Sequence, residues 1–444
     1  MTKIIHRKIQ KLSSRFAALT LSAILLASIT VMVTNTEPAY AALSVKKGSF
    51  DTISCNPPTS ACDQSITGVG FQPKALILFT NVDLVPNTGF QNEIGVAIGF
   101  SDGADDRSIS IRSEDLQDTS DTGRTSSETH IIKALSWMSS SIVLEFDVKS
   151  FDSDGFTITY SAGNSGIGAS VQYIALGGSD ITNVDVGTIT SGTSTGNVAY
   201  TVGFQPNFIM FMYTRQNGTS SQNEAEFGLG FASSSSARGA VVAVSEDARA
   251  TSDTHRAQRT DRVIYQLTPS TGNVNAEADF VSFDSNGFTL NWSDLPNNTN
   301  DKFYYMAIKG GKYKVGTFTQ PTTGTPPFTQ AITGVGFQPT GLMLASFNNV
   351  AASTVQSHSR LSFGASDGTN EGAMWFGDKD NVGTTVTEEY SDTAKVIRLA
   401  TETTPTTDAE ADLQSFDSDG FTLNWTTRND ATAREIIYIA LGNT

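Results

Sequence analysis

One feature limits this chain more than any other: it contains the same letters three times. Gly70-Phe71-Gln72-Pro73 returns as Gly203-Phe204-Gln205-Pro206 and as Gly336-Phe337-Gln338-Pro339, a step of 133 residues each time. Ser150-Phe151-Asp152-Ser153-Asp154-Gly155-Phe156-Thr157 returns at Ser282–Thr289, with Asn286 for the second Asp, and at Ser415–Thr422. Tyr173-Ile174-Ala175-Leu176-Gly177, Tyr305-Met306-Ala307-Ile308-Lys309 and Tyr438-Ile439-Ala440-Leu441-Gly442 close the three copies. Ser113–Leu135 aligns without a gap onto Ser245–Leu267. Solenoid repeats have much shorter periods, whereas this unit is the size of an ordinary domain. The sequence therefore predicts three tandem domains, at 42–180, 181–312 and 313–444, each owning its core. No Pro- or Ser-rich linker separates them.

Within a unit the pattern is that of strands. Lys74-Ala75-Leu76-Ile77-Leu78-Phe79 reads as a buried strand entered just after Pro73, where a proline removes no ladder bond. Glu145-Phe146-Asp147-Val148, Glu277-Ala278-Asp279-Phe280 and Glu410-Ala411-Asp412-Leu413 alternate acid and apolar residues, so the acids take the solvent face. Asp154-Gly155 and Asn286-Gly287 suit tight hairpin turns. Beyond the turn, Phe156, Ile158 and Tyr160 share one face, as do Phe288, Leu290 and Trp292, and Phe421, Leu423 and Trp425. No segment sustains a helical period. The predicted class is all-β: three tandem β-sandwich, jelly-roll-like domains of eight or nine strands each.

The first 41 residues stand apart. Lys3, Arg7, Lys8, Lys11 and Arg15 precede the apolar run Phe16–Val33, and Ala39-Tyr40-Ala41 offers a small-x-small exit. This is the layout of a secretory signal peptide cut after Ala41; an uncleaved anchor is the competing reading, since the run approaches the length of a bilayer span. The whole chain has 444 residues and carries 29 Lys+Arg against 45 Asp+Glu, a net charge of −16. Loss of the leader removes five basic residues and one acid, making the remainder more negative still. Such a balance argues against nucleic-acid binding, which needs clustered Lys and Arg. No later apolar run could span a membrane. The expected setting is secreted, outside the cell or on its surface.

Few residues point to chemistry. Cys55 and Cys62, the only cysteines, enclose six residues and in an exported chain predict a disulfide that pins a hairpin loop; a redox pair would favour Cys-x-x-Cys. Gly192-Thr193-Ser194-Thr195-Gly196 matches the serine-hydrolase elbow in letters, but no helix follows it. His130, His255 and His358 occupy no shared position. Asp152, Asp154, Asp284, Asp417 and Asp419, near Glu145/Asp147, Glu277/Asp279 and Glu410/Asp412, could offer oxygens to calcium or a carboxylate pair for glycoside cleavage. Turn geometry alone also accounts for them, and no metal, cofactor or catalytic residue is assigned. Tyr160, Trp292 and Trp425 fall in phase with core residues; Trp137 and Trp375 are not shared and are freer to stack on a sugar.

The segments that differ most between copies are Asp83–Gln91, Thr214–Gln222 and Phe347–Ser359, and Ser161–Ser170, Ser293–Lys302 and Thr426–Arg434. Variable polar loops on a constant frame suit recognition, with several weak sites adding by avidity.

The ordered set Ile-Thr-Gly-Val-Gly-Phe-Gln-Pro (Ile66–Pro73, Ile332–Pro339), Ser-Phe-Asp-Ser-Asp-Gly-Phe-Thr and Tyr-Ile-Ala-Leu-Gly resembles a module of secreted bacterial and tailed-phage virion proteins, over nearly all of the chain past the leader. The resemblance implies a β-sandwich and an extracellular or surface setting. A fainter likeness to H-type lectin domains lies in the Phe-x-Pro entry and the aromatic closing strand, and transfers no sugar-binding residue. The function expected from the sequence is a non-catalytic multivalent binding or adhesion protein for a glycan or other surface polymer. A structural protein of the cell surface, an appendage or the matrix, able to self-associate, is the alternative, and a polysaccharide-acting enzyme the second.

Overall fold

The alternation in each unit becomes two stacked antiparallel sheets. In the computed structural model, the described residues are 42–444 without 55–61, 83–85, 87–88, 163–168, 299, 352–353 and 402–405. The first repeat supplies β1 (Ser44–Asp51), β2 (Cys62–Thr67), β3 (Pro73–Asn81), β4 (Gln91–Asn92), β5 (Ile94–Ser101), β6 (Asp106–Ser113), β7 (Thr122–Ser127), β8 (Ile132–Leu135), β9 (Ile142–Asp152), β10 (Gly155–Ala162) and β11 (Ser170–Gly177). The order β1-β11-β3-β5-β6-β7 forms the larger sheet and β2-β10-β9-β8 the smaller, and both other repeats reproduce this arrangement. No helix occurs among the described residues. The fold is an all-β set of sandwiches, with eleven strands per repeat among the described residues where the sequence suggests eight or nine; two-residue strands such as β4 are too short to leave a pattern.

The central strand shows how the sequence makes two cores at once. Successive strand residues point to opposite faces. Leu76 and Leu78 join Leu144, Phe146, Phe156 and Ile158 inside the first sandwich. Ala75, Ile77 and Phe79, on the other face, join Phe208, Met210 and Met212 of the second repeat and Met343 and Ala345 of the third in one shared cluster. Phe79 meets Phe363 edge-on at 5.3 Å between ring centroids, and Phe227 meets Phe376 at 5.5 Å. A sheet buried on both faces reads as a continuous apolar run. The expectation that each unit owns its core is thus half met: each sandwich has one, and a fourth core belongs to all three. The residues from Leu43 onward form one compact unit.

The repeats are stitched head to tail into a closed ring. Each larger sheet gains a seventh strand from the next repeat: Gln222–Asn223 pairs with β7, Gln356–Ser357 with Thr254–Arg259, and β4 of the first repeat with Thr387–Asp392 of the third. The residue after each lent strand, Glu93, Glu224 or His358, has a left-handed backbone (φ 79°, 68° and 65°). A second set of bonds clasps the loops that follow β6 and its counterparts. Thr122 N–H donates to Asp247 Oδ1 (2.8 Å), Thr254 N–H to Asp380 Oδ1 (3.0 Å) and Thr387 N–H to Asp115 Oδ1 (2.9 Å). The hydroxyls of Ser120, Ser252 and Thr385 donate to the carbonyls of Glu246, Lys379 and Glu114 at 2.7–2.8 Å. A third set anchors the first strand of each unit: Val186 N–H donates to Asp102, Val315 N–H to Ser233 and Lys47 N–H to Asp367. Leu43 N–H donates to Asn443 Oδ1 at 2.7 Å, so the two ends of the ring meet.

Candidate functional site

The acidic turns are occupied by their own scaffolding. Asp152 accepts hydrogen bonds from the hydroxyls of Ser150 and Thr157, and Asp284 and Asp417 do the same with Ser282/Thr289 and Ser415/Thr422. Those two hydroxyls hold the Asp417 carboxyl below its usual range. Asp154 accepts the N–H groups of Gly68 and Gly70, and Asp419 those of Gly334 and Gly336. In the second repeat, where Asn286 replaces the acid, the first glycine has no counterpart: Thr201, in the place of Thr67, leads directly into Val202. Gly155 itself has φ +150°, and a Cβ there would strike the carbonyl of Ile66. Among the described residues no group of three or more His, Cys, Asp or Glu is placed to hold a metal ion.

The paired acids on the outer face sit against basic side chains. Glu145 and Asp147 lie 3.5 Å from His130 Nδ1 and Nε2. Glu277 and Asp279 bind Arg262 and Arg238, and Glu410 and Asp412 bind Arg398 and Lys395. Tyr160, Trp292 and Trp425 are buried in their sandwiches. Trp375, taken from the sequence as a free stacking platform, is 1% exposed: it packs against Phe90 and Tyr390 between the third and first repeats. Trp137 is partly exposed. Gly192–Gly196 lies in a turn between Asn183–Thr190 and Gly196–Thr201. Cys62 opens β2; Cys55, and with it the predicted disulfide, falls outside the described residues.

What the sequence shows as separate variable loops converges at the seams between repeats. At the seam of repeats two and three, Asn348, Asn349 and Gln356 from one loop and Asp430, Thr432 and Arg434 from the other line a cavity of about 490 Å³. Arg256, from the edge strand of the preceding repeat, completes the wall, and its Nη1 donates to the carbonyl of His358 (2.6 Å). Arg434 holds Asp408 and Asp430 together. The seam of repeats one and two has a smaller counterpart of about 210 Å³, lined by Arg124 of the first repeat with Arg215, Gln222, Asn297, Asn298 and Asp301 of the second. Arg124 grips the carbonyls of Asn223, Glu224 and Arg215, so the lent strand also positions the guanidinium.

Beneath this smaller cavity lie Glu226 and Asp301. Burial pushes the Glu226 carboxyl up to about 8 and that of Asp301 up to about 6, against the pull of Arg215 and Arg124. Asp301 Oδ2 and both Glu226 carboxylate oxygens are buried without a hydrogen-bond donor. Unsatisfied buried acceptors are costly, and Asp301, which lines the cavity, is a ready partner for hydroxyl donors, whereas Glu226 is fully buried and not part of the lining. The third seam differs: Glu389 stands where the others have Arg124 and Arg256, with Oε2 accepting from Gly95 N–H (2.8 Å) and Asn81 Nδ2 (3.2 Å).

Sequence reasoning finds the loops but misses Arg124, Arg256, Arg215, Asp301 and Arg434. One signal was present. Arg124 and Arg256 occupy the same place in the ungapped match of Ser113–Leu135 to Ser245–Leu267, an arginine shared in a strand with no acid beside it. Comparison with protein-family models finds no family that matches, and comparison with curated proteins finds no relative.

Proposed function

We propose that the protein is a secreted, non-catalytic, multivalent binder of a glycan or other hydroxyl-rich surface polymer, and that the cavities between successive repeats are its binding sites. One observation supports this most: the two loops that vary between repeats two and three line a polar cavity, and a buried arginine of the preceding repeat closes it. Arginine donors beside Asp and Asn acceptors suit a ligand dense in hydroxyl groups, which both gives and takes hydrogen bonds. A site shared by two repeats exists only while those repeats are docked, which accounts for a clasp held constant while the loops drift. The resemblance to modules of secreted and virion proteins agrees with a surface role. Glu277/Asp279 and Glu410/Asp412 are bound by Arg and Lys side chains and Glu145/Asp147 sit beside the His130 ring, an arrangement that gives the carboxylate-pair enzyme no support.

The test is a polysaccharide and glycan panel probed with residues 42–444 and with Thr432→Trp and Asn298→Trp, each of which fills one cavity. Retained melting temperature with about tenfold or greater loss of binding for a common ligand is the expected result. Full binding by the doubly filled variant would place recognition elsewhere.

A further inference from the structure

The three seams share a backbone scheme but not a charge. The first sets Arg124 against Glu224 and Glu226; the second brings His255 and Arg256 against His358 and Arg360; the third brings Glu388 and Glu389 of the last repeat against Glu93, Glu114 and Asp115 of the first. The third is also the only seam whose two repeats are not consecutive in the chain, so its closure rests on non-covalent contacts. We infer that this seam is a pH-operated joint, closed while its crowded carboxyl groups keep their protons and loosened when they ionise.

The carboxyl groups are themselves the fasteners. Glu93 Oε2 accepts Asp115 N–H (2.6 Å), Asp115 Oδ1 accepts Thr387 N–H and Glu389 Oε2 accepts Gly95 N–H. On the same side, Asp378 replaces the Ser113 and Ser245 of the other repeats and receives the Ser113 hydroxyl at 3.1 Å. Nearby cations are spoken for: Arg112 binds Asp121, and Arg398, stacked over Tyr390, binds Asp392 and Glu410. Lys379 contributes its backbone carbonyl to the clasp of the second seam. Burial raises Glu93, Glu388 and Asp378 to about 7, and Asp115 and Glu114 are raised for the same reason. A carboxyl whose value is higher in the folded state stabilises that state below its unfolded value, and the benefit fades as pH rises through the folded value. The joint is therefore tightest below about pH 4, has lost part of that hold by pH 6 and is loosest above about 8.

Hydrogen–deuterium exchange of residues 42–444, corrected for intrinsic rates, separates the seams. From pH 6 to 8.5, protection of 91–95 and 387–392 is expected to fall about tenfold, while 122–127, where Arg124 and Arg215 face the raised Glu226 and Asp301, and 254–259 fall less. Glu93→Gln with Glu388→Gln, which keeps the acceptor oxygens and leaves Asp378, Asp115 and Glu114 to titrate, is expected to remove most of that fall. Should the pair not fold, Glu388→Gln alone, whose side chain makes none of the fastening bonds named, is expected to halve it. An equal fall at all three seams, or a fall undiminished in these variants, would overturn the inference.

Discussion

The clasp and the seam cavities lie in the same three interfaces, yet one is constant and the other is not. At the clasp, Asp115, Asp247 and Asp380 make the same bond to Thr387, Thr122 and Thr254. A few residues away, the edge strands present Arg124, Arg256 and Glu389 in one structural position. The contrast shows how duplication frees a ring to diversify. Contacts that define closure must satisfy buried backbone groups and tolerate no change, whereas side chains at a solvent-filled cavity need only balance their own charge.

The comparison breaks most visibly in the shared core. Phe363→Ala removes a ring that contacts Phe79 of another repeat and is expected to cost about 3–5 kcal/mol. The loss should appear as one lowered transition for all repeats in calorimetry, rather than for the third alone. Next in size is Arg124→Ala, which leaves Arg215 as the remaining cation beside Glu226 and Asp301; a loss of up to about 3 kcal/mol at neutral pH is expected. Because burial raises Asp301 to about 6, that penalty should shrink toward pH 5 as its carboxyl takes up a proton. A denaturant titration at the two pH values checks the sign. Smallest and most alike are Asp115→Ala, Asp247→Ala and Asp380→Ala, each stranding one buried N–H for about 1–3 kcal/mol. Values differing by more than the stated range among the three would show that the clasp is less uniform than its geometry.

Much of the sandwich was legible in the letters. The alternation of Glu145-Phe146-Asp147-Val148, the turn at Asp154-Gly155 and the burial of Trp292 and Trp425 follow from period and turn chemistry, and the structure agrees. The ring was not, because closure depends on which surfaces meet after folding. Its trace was present nonetheless: Ala75–Phe79 and Ile94–Phe100 are apolar on both faces, while each repeat has only one other sheet to cover them. The second cover had to come from another repeat. Arg124 and Arg256 were hidden for the same reason, since an edge-strand arginine gains its neighbours only when the next repeat docks. Trp375 misled because an unshared aromatic looks free until its partner, Phe90, arrives from the far end of the chain.

Small-angle scattering of residues 42–444 tests closure most directly. A closed ring of this length has a radius of gyration of about 21 Å, against about 34 Å for three sandwiches strung in a line. The account predicts the smaller value at pH 5; a value near the larger one there would contradict it.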